Sequence, residues 1–400
     1  MQFSLLAGLL VTLTSLPSGL GVSVDEHPPK ITPQVFIISM FTPESQIWHN
    51  IPDFNLLSQN ITLPGLSPLF PYIHCTADQK ICQLTTGEGE INAAVSTSAL
   101  VLSPLFNLSK TYFLIAGIAG INPEIGTISS VTFARFAVQV ALQYEIDARE
   151  IPRNMSTGYI PQGSVAPGQY PGSVYGTEVF EVNDALRKIA ARFARNATLA
   201  DSDVARDYRS RYISSPGEEE EEEEEGIYGA ATKPPSVIEC DTATSDVYFS
   251  GKLLGDAFSN TTKVLTENQG VYCTTQQEDN ATLEALLRGA SSGGLVDFGR
   301  IIIMRTASDF DRPYPGQSAM DNLLYAEQGA FEPAVENLYR AGIQVVMGIL
   351  RGWEGGFEGG VRAGNYLGDD LETLGGKNER RGQEKLGKRG VRAGEKRGRR

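Results

Sequence analysis

The run Tyr112–Ile121 consists of ten apolar or glycine residues, and it constrains the fold more than any other stretch of this chain. Apolar residues without polar alternation suit a strand buried on both faces, as in a sheet covered by helices. Residues 112–116 predict a strand that breaks at Gly117 and Gly120, and 128–131 predict a second one. Glycine at the carboxyl end of a buried strand lets a ligand reach the backbone. In an α/β sheet that rim is where ligands sit.

Other runs repeat the pattern. Val35–Ser39 reads as a strand that ends before Pro43, which puts Glu44 at the rim. Ile81–Thr85 runs through Thr86-Gly87-Glu88-Gly89-Glu90 into a helix over 91–102, and 300–306 reads as a buried strand that stops at Ala307, Ser308 and Asp309. Helical patterns over 181–195, 246–258, 281–288 and 332–350 alternate with these strands. The alternation predicts an α/β fold with a mostly parallel sheet.

The ends and one insert stand apart from this core. Residues 1–22 read as a secretory signal, with an apolar centre over 5–11 and small residues at Ser18, Gly19 and Gly21. An extracellular or cell-surface destination agrees with sequons at Asn60, Asn107, Asn154, Asn196 and Asn260. Four cysteines in that setting imply the disulfides Cys75–Cys82 and Cys240–Cys273, the alternative being four buried free thiols. Residues 214–226 contain eight consecutive glutamates and predict a disordered insert within a domain spanning 31–354. Residues 355–400, rich in Gly, Arg and Lys, predict a disordered tail. The net charge of -14 is therefore set by low-complexity segments and identifies no partner. A basic tail without interleaved aromatics gives no case for nucleic acid. Past the signal no apolar run reaches the length of a spanning helix, about 18 residues or more.

Chemistry is left to carboxylates. The only histidines are His27, His49 and His74; none accompanies a serine elbow and none stands at metal-ligand spacing, so no metal or cofactor is expected. Acids instead recur at strand ends: Glu44, Glu88, Glu90, Glu278 and Asp309. Several carboxyls at one rim suit cleavage in which one protonates a leaving group and another positions water.

Gly117-Ile118-Ala119-Gly120-Ile121-Asn122-Pro123, the turn 86–94, Gln276-Gln277-Glu278-Asp279-Asn280 and Arg305-Thr306-Ala307-Ser308-Asp309 together resemble the fungal purine nucleoside permease family. That family in turn resembles nucleoside phosphorylases and methylthioadenosine/adenosylhomocysteine nucleosidases. The resemblance implies a three-layer sandwich around a mixed sheet, binding of purine nucleosides such as adenosine and guanosine, a role in their uptake, and a possible homo-oligomer or membrane partner. By matching position, Asp309 would protonate purine N7 and Glu44 would position water. Glu278 would hold the ribose, and Gly87, Gly117, Ala119 and Gly120 would contact the nucleoside. Asn280 lies too close to Glu278 to be expected as a glycan acceptor. The first arginine of the chain is Arg135, and the glycine turn carries Glu88 and Glu90. Phosphate would meet like charge there, which favours a hydrolase over a phosphorylase should the protein be an enzyme.

Overall fold

A computed structural model describes residues 29–213 and 226–378. The expected signal, the glutamate run and the tail beyond 378 lie outside the described residues. In chain order the strands are β1 Val35–Ser39, β2 Gln59–Ile61, β3 Ile73–Cys75, β4 Ile81–Thr85, β5 Tyr112–Ile121, β6 Val131–Ala134, β7 Phe136–Gln139, β8 Gln143–Glu145 and β9 Tyr159–Pro161. There follow β10 Val179–Glu181, β11 Val237–Glu239, β12 Asp241–Thr244, β13 Tyr272–Gln276, β14 Ile301–Phe310 and β15 Gly368–Asp369. The helices are α1 Thr42–Gln46, α2 Glu90–Val101, α3 Asp184–Ala194, α4 Asp203–Arg209, α5 Lys252–Leu265, α6 Asp279–Ser291, α7 Ala319–Leu324 and α8 Phe331–Arg351.

β5 is the axis of a mixed sheet. β14 runs parallel beside it along its whole length, from Phe113 opposite Ile301 to Ile121 opposite Phe310. On its other side β1 pairs in parallel as far as Ile115, and β13 pairs antiparallel from Gly120. β14 also pairs with β6, which continues through Arg135 into β7; β7 pairs with β12, and β12 with β13. The pairings thus close a ring that passes through β5 and β14. β4, β3 and β2 extend the sheet beyond β1, and β10 and β15 beyond β7.

Period-2 alternation divides the core. Ile301 and Ile303 face one apolar cluster with Phe36, Phe113, Leu283 and Leu286, while Ile302 and Met304 face another with Trp48, Leu338, Val345 and Val346. Helices α2 and α6 pack together on the first side, and α3 and α8 on the second. The sheet is therefore covered on both faces, as the unbroken apolar runs require. Both disulfides form: Cys75–Cys82 links the β3–β4 hairpin, and Cys240–Cys273 joins β13 to the residue before β12.

Four sequence expectations are corrected. β5 does not break at Gly117 and Gly120, because β14 supplies a partner for its whole length. For the same reason β14 continues through Ala307 and Asp309, with a register shift that leaves Ser308 unpaired. Helix α5 begins at Lys252 rather than at 246, and Gly251, at φ 125°, turns the chain into it. Residues 355–378 pack against the domain: β15 pairs with β10, and Asn365 Nδ2 donates to Val182 O at 3.0 Å.

Candidate functional site

Between the last partner of β1 and the first of β13, residues 116–119 of β5 have no strand on that side. Side chains fill the opening. Glu44, held by the short α1 just past β1, accepts the Ile118 N–H at Oε1 (2.7 Å) and the Met40 N–H at Oε2 (2.7 Å). Arg305 of β14 donates from Nη1 to Ile118 O at 3.1 Å. Gly117 is the residue that allows this approach. A Cβ there would lie 2.6 Å from Arg305 Nη1 and 2.8 Å from both Glu44 Oε1 and Met40 Cε.

Arg305 lies under the first turn of α6. Its Nη2 donates to Asp279 Oδ1 at 2.6 Å and Glu278 Oε2 at 3.3 Å, and its Nε to Asp279 Oδ2 at 3.3 Å. Glu278 Oε1 in turn accepts the Gly89 N–H at 3.1 Å, which ties the glycine turn before α2 to α6. Gln276 Oε1 accepts the N–H groups of Glu278 and Asp279, each at 2.8 Å, and so caps the helix start. At the far end of β14, Asp309 takes the Ser308 hydroxyl at 2.7 Å and the Tyr248 hydroxyl at 3.4 Å.

Glu44, Gln276, Glu278, Arg305, Ser308 and Asp309 line a cleft of about 140 Å³ with Met40, Phe41, Glu88, Ala119, Gly120 and the loop residues Val247, Tyr248 and Phe249. Of the residues expected at the site, Glu44, Glu278, Asp309, Ala119 and Gly120 come together in it. Gly117 lies beneath the floor. Gly87 belongs to the glycine turn, at φ 88°, but not to the lining. Sequence reasoning missed Arg305, Asp279 and the 247–249 loop. The early loops carry no arginine, and Arg305 arrives instead from within an apolar strand. The period-2 position shared with Ile301 and Ile303 was the signal that could have placed it. All five expected glycan acceptors are exposed, and Asn280 is buried, donating to Thr177 O at 2.8 Å.

Desolvation dominates the electrostatics. Burial pushes the Glu44 carboxyl up to about 8 despite the pull of Arg305 and its two backbone donors. Burial raises Glu278 as well, against the same cation, and raises Asp309 to about 6, where Asp311 adds to the effect. Glu90, beside the mouth, is pushed up to about 7 by burial and by Asp246.

Two predictions follow from the local geometry. Gly117→Ala is expected to lower stability by about 1–3 kcal/mol through overpacking and to displace Glu44, with ligand affinity falling alongside; urea unfolding checks the first part. An unchanged midpoint would show that the neighbours yield freely. Raised carboxyls also set a pH slope. The folded chain binds more protons than the unfolded one between the ordinary carboxylate range and the folded values near 6, 7 and 8 of Asp309, Glu90 and Glu44. Their contribution is full in acid and is lost as pH rises through those values. Asp78, Asp184 and Asp201, held below their ordinary values, lose their contributions only in more acid solution. Because burial lowers His49 and His74, their contribution instead rises with pH up to the ordinary histidine value of 6.5, so thermal unfolding between pH 7 and 8.5 is expected to show stability falling with pH, with a shallower slope in Glu44→Gln. A midpoint that rises with pH would contradict the assignment.

Fold and site define an α/β protein whose carboxyl-lined cleft sits at the rim of a mixed central sheet. The family model described as "Purine nucleoside permease (NUP)" matches residues 32–362, and the chain belongs to that family. A purine nucleoside permease of Candida albicans is 46% identical over 352 residues, covering 86% of this chain and 82% of that protein. A probable purine nucleoside permease of Schizosaccharomyces pombe is 42% identical over 357 residues, covering 87% and 97%. Among solved structures, the futalosine hydrolase of Helicobacter pylori is 13% identical, with 79% of this chain and 98% of that one covered and a TM-score of 0.46. A methylthioadenosine/adenosylhomocysteine nucleosidase of Neisseria meningitidis is also 13% identical, at 80% and 99% coverage and a TM-score of 0.45.

Proposed function

We propose that the cleft binds purine nucleosides such as adenosine and guanosine, and that the protein serves their uptake from outside the cell. The observation that carries this reading is the meeting of Glu44, Glu278 and Asp309 over the Ile118–Gly120 floor, together with membership of a family whose fungal members are named purine nucleoside permeases. Carboxyls that accept hydrogen bonds suit ribose hydroxyls, and a protonated one suits a ring nitrogen of the base. Phe41, Val247, Tyr248 and Phe249 offer apolar surface for a flat heterocycle. Among the described residues no helix is long and apolar enough to cross a membrane. Uptake would then call for a membrane partner, with this chain, secreted and glycosylated, presenting the ligand at the cell surface.

Calorimetric titration with adenosine, guanosine and a pyrimidine nucleoside, paired with labelled-nucleoside uptake in cells with and without the protein, tests this. Purine-selective binding and protein-dependent uptake are expected; absence of binding removes the reading.

The raised Asp309 and Glu44 carboxyls favour a second reading, phosphate-independent hydrolysis of the N-glycosidic bond. Asp309 would give its proton to the departing base, Glu44 would orient the water that adds to the ribose carbon, and Glu278 would hold the hydroxyls. Phosphate is a poor guest in either case. Every guanidinium nitrogen of Arg305 already donates to Asp279, Glu278 or Ile118 O. Base release that requires phosphate would overturn this part.

A further inference from the structure

His49 and His74 take no part in the cleft, yet the fold brings them together. His49 follows α1, and His74 stands in β3 opposite Gln83 of β4. Their ring centres are 5.3 Å apart with the planes at 76°. Each ring commits one nitrogen to an amide oxygen: His49 Nε2–H donates to Gln83 Oε1 at 3.0 Å, and His74 Nδ1–H donates to Asn60 Oδ1 at 2.7 Å. The Gln83 amide cannot present its other end, because its Nε2 already donates to Ser39 Oγ and Ser45 O, each at 3.1 Å. The tautomers follow from these bonds. His49 Nδ1 and His74 Nε2 carry the lone pairs.

That arrangement is what imidazole ligands need. A metal-bound histidine donates its second ring N–H to an oxygen, which fixes both tautomer and orientation. Two imidazoles on one tetrahedral ion, with metal–nitrogen bonds of about 2.0–2.1 Å, have ring centres about 5 Å apart.

We propose that His49 and His74 form a two-imidazole site for a borderline divalent transition ion such as Zn²⁺, Ni²⁺ or Cu²⁺, with water completing the coordination. Nitrogen donors select these ions over Mg²⁺ or Ca²⁺. Among the described residues no third His, Cys, Asp or Glu joins the pair, so the ion keeps open positions and exchanges readily. Through Gln83 the site is tied to Ser39 and Ser45, which bracket the segment that carries Glu44. An ion here clamps that segment without entering the cleft.

The test is calorimetric titration of the chelator-treated full chain with Ni²⁺, Zn²⁺ and, as a control, Mg²⁺. One transition ion per chain is expected, with no response to Mg²⁺. His49→Ala and His74→Ala should each abolish binding while His27→Ala leaves it unchanged. Asn60→Leu removes the oxygen that orients His74 and should weaken binding roughly 10–100-fold, whereas Thr62→Ala, which removes the Asn60 sequon but keeps that oxygen, should leave binding unchanged. Circular dichroism confirms that each variant is folded, and Asn60→Leu, at an exposed position, keeps the test open should a histidine variant not fold. No binding by the wild-type chain, or binding unaltered in both histidine variants, overturns the proposal and leaves the rings as an edge-to-face packing contact.

Discussion

Arg305→Met is expected to lower stability by about 3–5 kcal/mol at pH 7.5 and to abolish ligand binding. Arg305 is 2% exposed, and the carboxyls around it, Glu44, Glu278 and Asp279, are between 0% and 4% exposed. Removing the cation leaves two or three acids in a desolvated space with no compensating charge, which is costlier than losing the ion pairs themselves. Those acids have an escape, since they can take up protons. The deficit should therefore shrink as pH is lowered toward 5, since burial already raises the Glu278 carboxyl and it takes up a proton more readily once the cation is gone. Arg305→Lys should recover only part of the loss, because one ammonium cannot serve Asp279, Glu278 and Ile118 O at their separate positions. Urea unfolding at pH 5 and 7.5 measures both effects. A loss under about 1 kcal/mol, or one that grows in acid, would show that the acids do not depend on this arginine.

The two backbone hydrogen bonds at Ile118 are the reason loss of the arginine is expected to reach ligand binding as well as stability. β5 leaves its Ile118 N–H and C=O without a strand partner, and Glu44 and Arg305 replace that strand. An unpaired buried amide or carbonyl there would cost about 1–3 kcal/mol. The cleft is thus a gap in a β-ladder that side chains have repaired, and its floor keeps its shape only while both remain.

Much of this was legible in the sequence because buried strands are short apolar runs with visible ends. β1 and β4, together with helices α2, α6 and α8, fall close to where periodicity puts them. The strand-end acids Glu44, Glu278 and Asp309 stand out because charge interrupts apolar sequence there. What periodicity could not show was pairing. Gly117 and Gly120 read as a break because glycine is a poor strand former, but β14 holds both in line. The 247–249 loop read as helix because Val247, Tyr248 and Phe249 continue the apolar pattern of α5, and only the backbone at Gly251 separates them. Residues 355–378 looked like tail by their glycine content, while Asn365 and Asp369 supply the hydrogen bonds that hold them. The histidine pair was invisible because His49 and His74 meet only through the β3–β4 register.

Asp309→Asn separates the two functional readings. Asparagine keeps a hydrogen-bond donor at nearly the same position but has no proton to transfer. If the cleft only binds, affinity for a purine nucleoside should change little at pH 5.5, where Asp309 in the wild-type chain is itself mostly protonated, its value lying near 6. Above that value wild-type affinity should decline as the carboxyl ionises and turns from donor to acceptor, whereas the asparagine variant should hold its affinity to pH 8. The two titration curves then diverge with rising pH. If the protein hydrolyses nucleosides, the same substitution should reduce base release by about 10²–10⁴-fold, the usual contribution of a placed acid, while leaving binding intact. Calorimetry across pH and chromatographic detection of free base, on one pair of proteins, read both quantities. Equal loss of binding at every pH would mean that Asp309 acts as a charged acceptor, and the proton-donor role would have to be given up for both readings at once.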